Sequence, residues 1–136
     1  MIVRSFLDSN VFVYADDHRY PAKQSIAADL FERARTTGLG VVSTQVMQEY
    51  FSVATGKVSV PADVARRVEL MGSMNVVQVD PPLILAAIDL HRLHRLSIWD
   101  ALILQAAAAA GCRELLSEDM QQGFRHGGVM VVNPFG

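Results

Sequence analysis

Ser97-Ile98-Trp99-Asp100-Ala101-Leu102-Ile103-Leu104-Gln105-Ala106-Ala107-Ala108-Ala109-Ala110-Gly111 begins a helix, runs apolar except at Gln105, and stops at glycine. Glu114-Leu115-Leu116-Ser117-Glu118-Asp119 follows almost at once, reading as a strand over Glu114 to Ser117 with an acid just beyond it. Ser97 and Asp100 have capping-box spacing, and Gly111 is a helix stop. In a parallel sheet, a helix leading into a strand runs antiparallel to that strand. The first turn of the helix and the carboxyl end of the strand then share one edge of the sheet. Asp100 and Asp119 are expected on that edge.

Working outward, the same edge collects two more acids. Ile2 to Leu7 reads as a buried strand closed by Asp8. Ala22 to Arg35 has Ile26, Leu30, Phe31 and Ala34 at helical spacing, with Gly38 as its stop. Gly40 to Ser43 is a second strand. Thr44 caps a helix that carries Glu49, runs to about Ala54 and is broken by Thr55-Gly56-Lys57. Ala62 to Met71 is helical, with Pro61 in its first turn. Asn75 to Val79 is a third strand, stopped by Asp80-Pro81-Pro82, and Leu83 to His94 is a helix. Val129 to Val132 is the fifth strand after Glu114 to Ser117. Alternating strands and helices predict a three-layer α/β/α domain over residues 1–136, with a five-stranded, mostly parallel sheet. Ligands of such sheets bind beyond the carboxyl ends of the strands. Asp8, Glu49, Asp100 and Asp119 all point there.

Composition narrows the chemistry. The 136 residues are 51% hydrophobic, and the mean hydropathy is +0.23. So apolar a small chain is expected to spend part of its surface on a partner or a second copy. A single cysteine, Cys112, excludes an internal disulfide framework and fits a reducing cytosol. The N-terminus lacks a signal-peptide layout, and the run from Ala101 to Ala110 is too short to span a bilayer. A cytoplasmic protein without membrane contact is expected. The formal net charge of −2 argues against coating nucleic acid by bulk electrostatics.

Gathered carboxylates repel one another and raise each other's pKa unless a cation lies between them. An oxygen-only ligand set points to a hard ion, Mg²⁺ with Mn²⁺ able to substitute. Each acid also has an ordinary reading: Asp100 as part of a cap, Asp8 as an Asx-type cap of a following helix, Asp119 as a turn acid, Glu49 as an exposed helix glutamate. It is the set of four that favours a metal site. Glu118 and the pair Asp16-Asp17 are assigned to solvent. Arg66, Arg67 and Arg125 are read as surface charges, and Trp99 as core or rim packing. His18 and His126 have no ligand spacing. His91, Arg92, His94 and Arg95, just before Asp100, are a polar face that can meet phosphates.

The ordered set resembles the PIN-domain nucleases. Phe6-Leu7-Asp8-Ser9-Asn10-Val11-Phe12 is similar to their opening motif, Ser97-Ile98-Trp99-Asp100-Ala101-Leu102-Ile103 to their central one, and Leu115-Leu116-Ser117-Glu118-Asp119-Met120 to their closing one. Glu49 sits where the family's helix glutamate is expected. The length resembles VapC-type toxins of toxin–antitoxin pairs. That resemblance implies a Mg²⁺-dependent endoribonuclease, an RNA substrate, a cognate antitoxin and a homodimer. It makes Asp8, Glu49, Asp100 and Asp119 the acidic site and Asn10 and Ser117 its supporting polar groups. Asp8 and Asp100 are the expected direct ligands, with Arg92 and Arg95 as phosphate contacts.

Two rivals stand beside this reading. A phosphohydrolase using Asp8 as nucleophile would want an acid where Asn10 stands, or a late-strand lysine that neither Lys23 nor Lys57 supplies. A protein-binding module without catalysis would use the apolar residues Tyr50, Phe51, Val53, Val58 and Val60 as a groove for an amphipathic helix.

Overall fold

Gly40 can be no larger, and the reason shows how the fold is assembled. In the computed structural model, which describes residues 3–57 and 61–136, a Cβ at Gly40 would collide with Ala34 Cβ and lie 2.6 Å from Met74 Cε. Strand β2 (Gly40–Ser43) is thus pressed directly under helix α2 (Pro21–Thr37). Gly38 ends α2 in the left-handed conformation at φ 71°, as expected of the residue after a helix.

The remaining elements are β1 (Ser5–Leu7), α1 (Ser9–Ala15), α3 (Thr44–Lys57), α4 (Pro61–Gly72), β3 (Asn75–Val77), α5 (Pro81–His94), α6 (Ile98–Ala109), β4 (Glu114–Leu116), β5 (Arg125–His126) and β6 (Val129–Val132). The sheet order is β3-β2-β1-β4-β6-β5, and every pair is parallel except β5 with β6. Phe6 stands beside Val41 on one side and Leu115 on the other, all fully buried. Helices cover both faces of this three-layer α/β/α arrangement, with α6 against β2, β4 and β6. Among the described residues, no helix is long and apolar enough to cross a membrane.

The fold class is the expected one, with several differences in its elements, among them β3 ending at Val77 rather than Val79 and β4 at Leu116 rather than Ser117. Among the described residues there are six strands rather than five: Arg125–His126 folds back on β6 through Gly127 and Gly128, both at positive φ (55° and 83°). That is the geometry of a two-residue hairpin turn, for which Gly-Gly is a recognised signal. A seven-residue helix, α1, fills a stretch in which the sequence suggests no helix beyond a cap at Asp8. Its Val and Phe residues favour strands, but Val11, Phe12 and Ala15 are buried and α1 packs against α2. Helix α3 continues through Thr55 and Gly56 to Lys57, its last turns anchored by the fully buried Ala54. Strand β1 starts at Ser5 rather than Ile2; Ile2, Val58 and Val60 lie outside the described residues.

Candidate active site

The four acids reach one place by four routes. Asp8 is the residue between β1 and α1 and caps that helix, its Oδ1 accepting the Ser9 N–H at 2.7 Å. Asp119 lies just past β4. Glu49 stands in the second turn of α3, which leaves β2 directly. Asp100 sits in the first turn of α6, where Ser97 Oγ accepts its N–H at 3.1 Å. Together with Ser9, Ser52, Val53 and Ile103 these acids line one cavity of about 310 Å³. Capping and site lining coexist at Asp8, whereas at Asp100 the amide donates to the capping Ser97 and the carboxylate lines the cavity.

A polar lattice joins the two sheet-end acids. Ser117 Oγ donates to Asp8 Oδ2 at 2.7 Å and accepts the Asp119 N–H at 3.2 Å. Asn10 Nδ2 lies 3.4 Å from Asp8 Oδ2, 3.2 Å from Ser117 Oγ and 3.3 Å from Asp119 Oδ2, while Asn10 Oδ1 accepts the Glu118 N–H. Asn10 therefore ties the start of α1 to the loop after β4. A neutral amide can bridge two carboxylates where a third acid would repel both.

Electrostatics follow from burial. Asp8 is 5% exposed, and its pKa is pushed up to about 6, mainly by loss of water. The Ser117 hydroxyl and the Ser9 amide oppose that rise, and the charges of Glu49 and Asp119 add to it. Glu49 is raised by burial and by Asp100, against the pull of Gln45. Asp100 is raised by burial and by Asp119, against the pull of Ser97. These mutual effects show that the acids feel one another across the cavity. Among the described residues no three His, Cys, Asp or Glu side chains form a ready-made metal cage. An open, all-oxygen set of this kind fits an ion that takes one or two carboxylates and keeps several waters, as Mg²⁺ does.

The sequence reading passed over Gln45. It is 7% exposed, and its Nε2 donates to Glu49 Oε2 and to the Trp99 carbonyl, each at 3.2 Å, holding α3 to the start of α6. Its Oε1 is buried with no partner among the described residues. The i, i+4 relation to Glu49 was the available signal.

Several residues stand elsewhere than expected. Asp16, Asp17 and Glu118 are not left to solvent. Asp16 accepts from the Tyr50 hydroxyl at 2.5 Å and pairs with Arg67, also at 2.5 Å, so Arg67 is not a free surface charge. Asp17 is 3% exposed and bound by Arg19 at 2.8 Å. Glu118 accepts from Lys23 and Tyr14, both at 2.6 Å. Tyr50 is fully buried and lines no groove, whereas Phe51 and Val53 are exposed. Trp99 is not packed in the core: it is 62% exposed. Arg92 and Arg95 are exposed outside the cavity, with Arg95 capping α5 at φ 55°.

Comparison with known proteins agrees with this fold. A family model described as "PIN domain" matches residues 5–126. A toxin–antitoxin complex from Klebsiella pneumoniae superposes with a TM-score of 0.69 at 17% identity, over 96% of this chain and 97% of that one. VapC20 of Mycobacterium tuberculosis, described as a sarcin-ricin loop cleaving toxin, gives 0.64 at 17% identity, over 85% and 91%. VapBC2 from Rickettsia felis, bound to a DNA fragment from its promoter, gives 0.64 at 14% identity, over 93% and 96%. No curated protein matches the sequence.

Proposed function

The chain belongs to the PIN-domain family, and from that premise we propose that it is a divalent-metal-dependent endoribonuclease, the toxin of a VapBC-like toxin–antitoxin pair. The observation that carries this reading is the meeting of Asp8, Glu49, Asp100 and Asp119 on one open cavity at the carboxyl edge of the sheet. The resemblance to structures described as toxins and toxin–antitoxin complexes supports it. A phosphohydrolase using Asp8 as nucleophile is less well supported, because the position two residues on carries Asn10 rather than an acid.

Asp8 and Asp100 would hold the ion, Mg²⁺ or Mn²⁺, and Asp119 and Glu49 would complete the site. When bound, such an ion lowers the pKa of a water and offsets charge on the phosphate. The chain does the rest. Ser117, Ser9 and Asn10 fix the Asp8 carboxylate, and Gln45 fixes Glu49, which takes the proton of the attacking water. Attack on phosphorus breaks the bond to the 3′ oxygen, which leaves with a proton taken from solvent, giving 5′-phosphate and 3′-hydroxyl ends. Ser52, Val53 and Ile103 narrow the cavity around the reacting phosphate.

The protein is expected to work in the cytoplasm as a homodimer restrained by a cognate antitoxin. An apolar cavity of about 450 Å³, lined by Thr44, Met47, Gln48, Phe51 and Val68, supports a protein partner. The test is cleavage of total RNA and tRNA by antitoxin-free protein with Mg²⁺, Mn²⁺ or EDTA, beside Asp8→Asn. Discrete fragments that need metal and vanish in the variant are the expected result. Products ending in 2′,3′-cyclic phosphate would reject the water-attack mechanism. Metal-independent cleavage would reject the site.

A further inference from the structure

Trp99 is the only tryptophan in the chain, and it projects into solvent directly beside Asp100. Neighbouring residues show that this position is not a loose one. Ala101 to Leu104 are buried, the Asp100 and Ala101 amides donate to Ser97 Oγ and O at 3.1 and 2.9 Å, and Gln45 holds the Trp99 carbonyl. The backbone is thus pinned on both sides of an indole that no aromatic pair includes among the described residues. A large ring set in water on a fixed backbone is unexplained by packing and is characteristic of a recognition surface.

We propose that Trp99 is a nucleobase platform of the substrate site, stacking on a base that flanks the scissile phosphate of single-stranded RNA. This rests on the ribonuclease reading and adds a contact to it. Adjacent helix residues have Cα atoms 3.8 Å apart and differ by about 100° in direction. The Asp100 carboxylate therefore lines the cavity while the indole stands just outside it. A phosphate in the cavity brings its neighbouring base to the ring. Charge decides between ligands of different kinds. With a net charge of −2 and an acidic site, the chain has little bulk attraction for a polyanion. Stacking needs only the face of a base, so it works where electrostatics do not. Arg92 and Arg95, exposed and free of ion-pair partners among the described residues, supply local positive charge just upstream in the chain. The rival occupant is a second copy of the chain, which would cover Trp99 together with Leu93, itself 77% exposed.

Because Trp99 is the sole tryptophan, its emission reports on this surface alone. The full chain in EDTA is titrated with a single-stranded oligoribonucleotide and with an abasic phosphodiester of equal length, at several protein concentrations. Saturable quenching by the first and none by the second is expected. In cleavage assays Trp99→Ala should raise KM about 5- to 100-fold with kcat changed far less, and Trp99→Phe should recover most of the loss. Equal quenching by the abasic chain, or cleavage by Trp99→Ala at the wild-type KM, overturns the platform and leaves the nuclease standing. A blue shift with protein concentration alone, lost together with dimer on Trp99→Ala, assigns the ring to a second copy and also overturns it. A wild-type chain without metal-dependent cleavage removes the nuclease reading, and the platform with it.

Discussion

Asp8 is held as a carboxylate in a place that favours the neutral acid. Its ordinary pKa is about 4, and in the folded chain it is pushed up to about 6, chiefly by burial. Between those values the folded state binds more protons than the unfolded one. Stability therefore falls as pH rises through that window and stays lower above it. Asp8→Asn removes the charge while keeping the shape and one acceptor. In metal-free buffer it should stabilise the protein by about 1–3 kcal/mol at pH 7.5 and by almost nothing near pH 4. Denaturant melts in EDTA at the two pH values check this, and a wild type that is the more stable at pH 7.5 would refute it. Asp100 and Ser97 share one turn but should separate in the same assay. Ser97→Ala loses a cap and should cost about 0.5–2 kcal/mol, whereas Asp100→Asn should leave the metal-free protein as stable or more stable, because it removes a carboxylate raised by burial, and abolish cleavage. Residues at strand ends and first helical turns were legible because position alone aims them at one edge. Gln45, Asp16 and Arg67 were not, because polar residues on helices are common and their partners are set by packing.

Helices α1, α3 and α4 are joined by the Asp16–Tyr50–Arg67 cluster, which also places the Arg67 guanidinium 4.8 Å from the Phe31 ring centre on α2. Tyr50 follows Glu49 on α3, so this tie fixes the rotation of the helix that presents Glu49. Both charged partners are about four-fifths covered (side chains 21% and 19% exposed). Breaking a fully buried pair costs about 3–5 kcal/mol. Partial exposure reduces the expectation for Arg67→Met to about 1–3 kcal/mol, and Asp16→Asn in the same background should add less than it does alone. A double-mutant cycle by denaturant melts measures this; strict additivity would show that the groups do not interact. At Gly40 even a methyl group has nowhere to go, so Gly40→Ala should cost about 1–3 kcal/mol through the shift it forces on α2. The longer elements were readable because periodicity and stop signals agree along them. Helix α1 and strand β5 are too short for periodicity, and pairing with α2 and β6 decides them. Only the Gly127-Gly128 turn announced the second of these.

Across the whole molecule, the acidic edge costs the metal-free protein stability that a cation should restore. Asp8, Glu49 and Asp100 are all raised, so each holds its proton to a higher pH than a free carboxyl does. An ion that binds their charged forms must displace those protons. Displacing the Asp8 proton should therefore make affinity fall about tenfold per pH unit below about 6, and protons held on Glu49 and Asp100 act in the same direction. At a concentration 100 times its Kd, a bound ion adds about 2.7 kcal/mol to stability. Mn²⁺ sufficient for that at pH 7.5 should therefore stabilise by only about half as much at pH 5, about 1.4 kcal/mol, and Asp8→Asn should lose most of that gain at either pH. Calorimetry in buffers of different ionisation enthalpy should find protons released on binding at pH 6 and fewer at pH 8. Equal stabilisation at pH 5 and 7.5 would place the ion away from these carboxylates, since no group with an ordinary low pKa would compete with it in that range. A pH-dependent gain that survives Asp8→Asn would instead move the ion toward Glu49 and Asp100. That result would keep the site and reassign the residues that hold the ion.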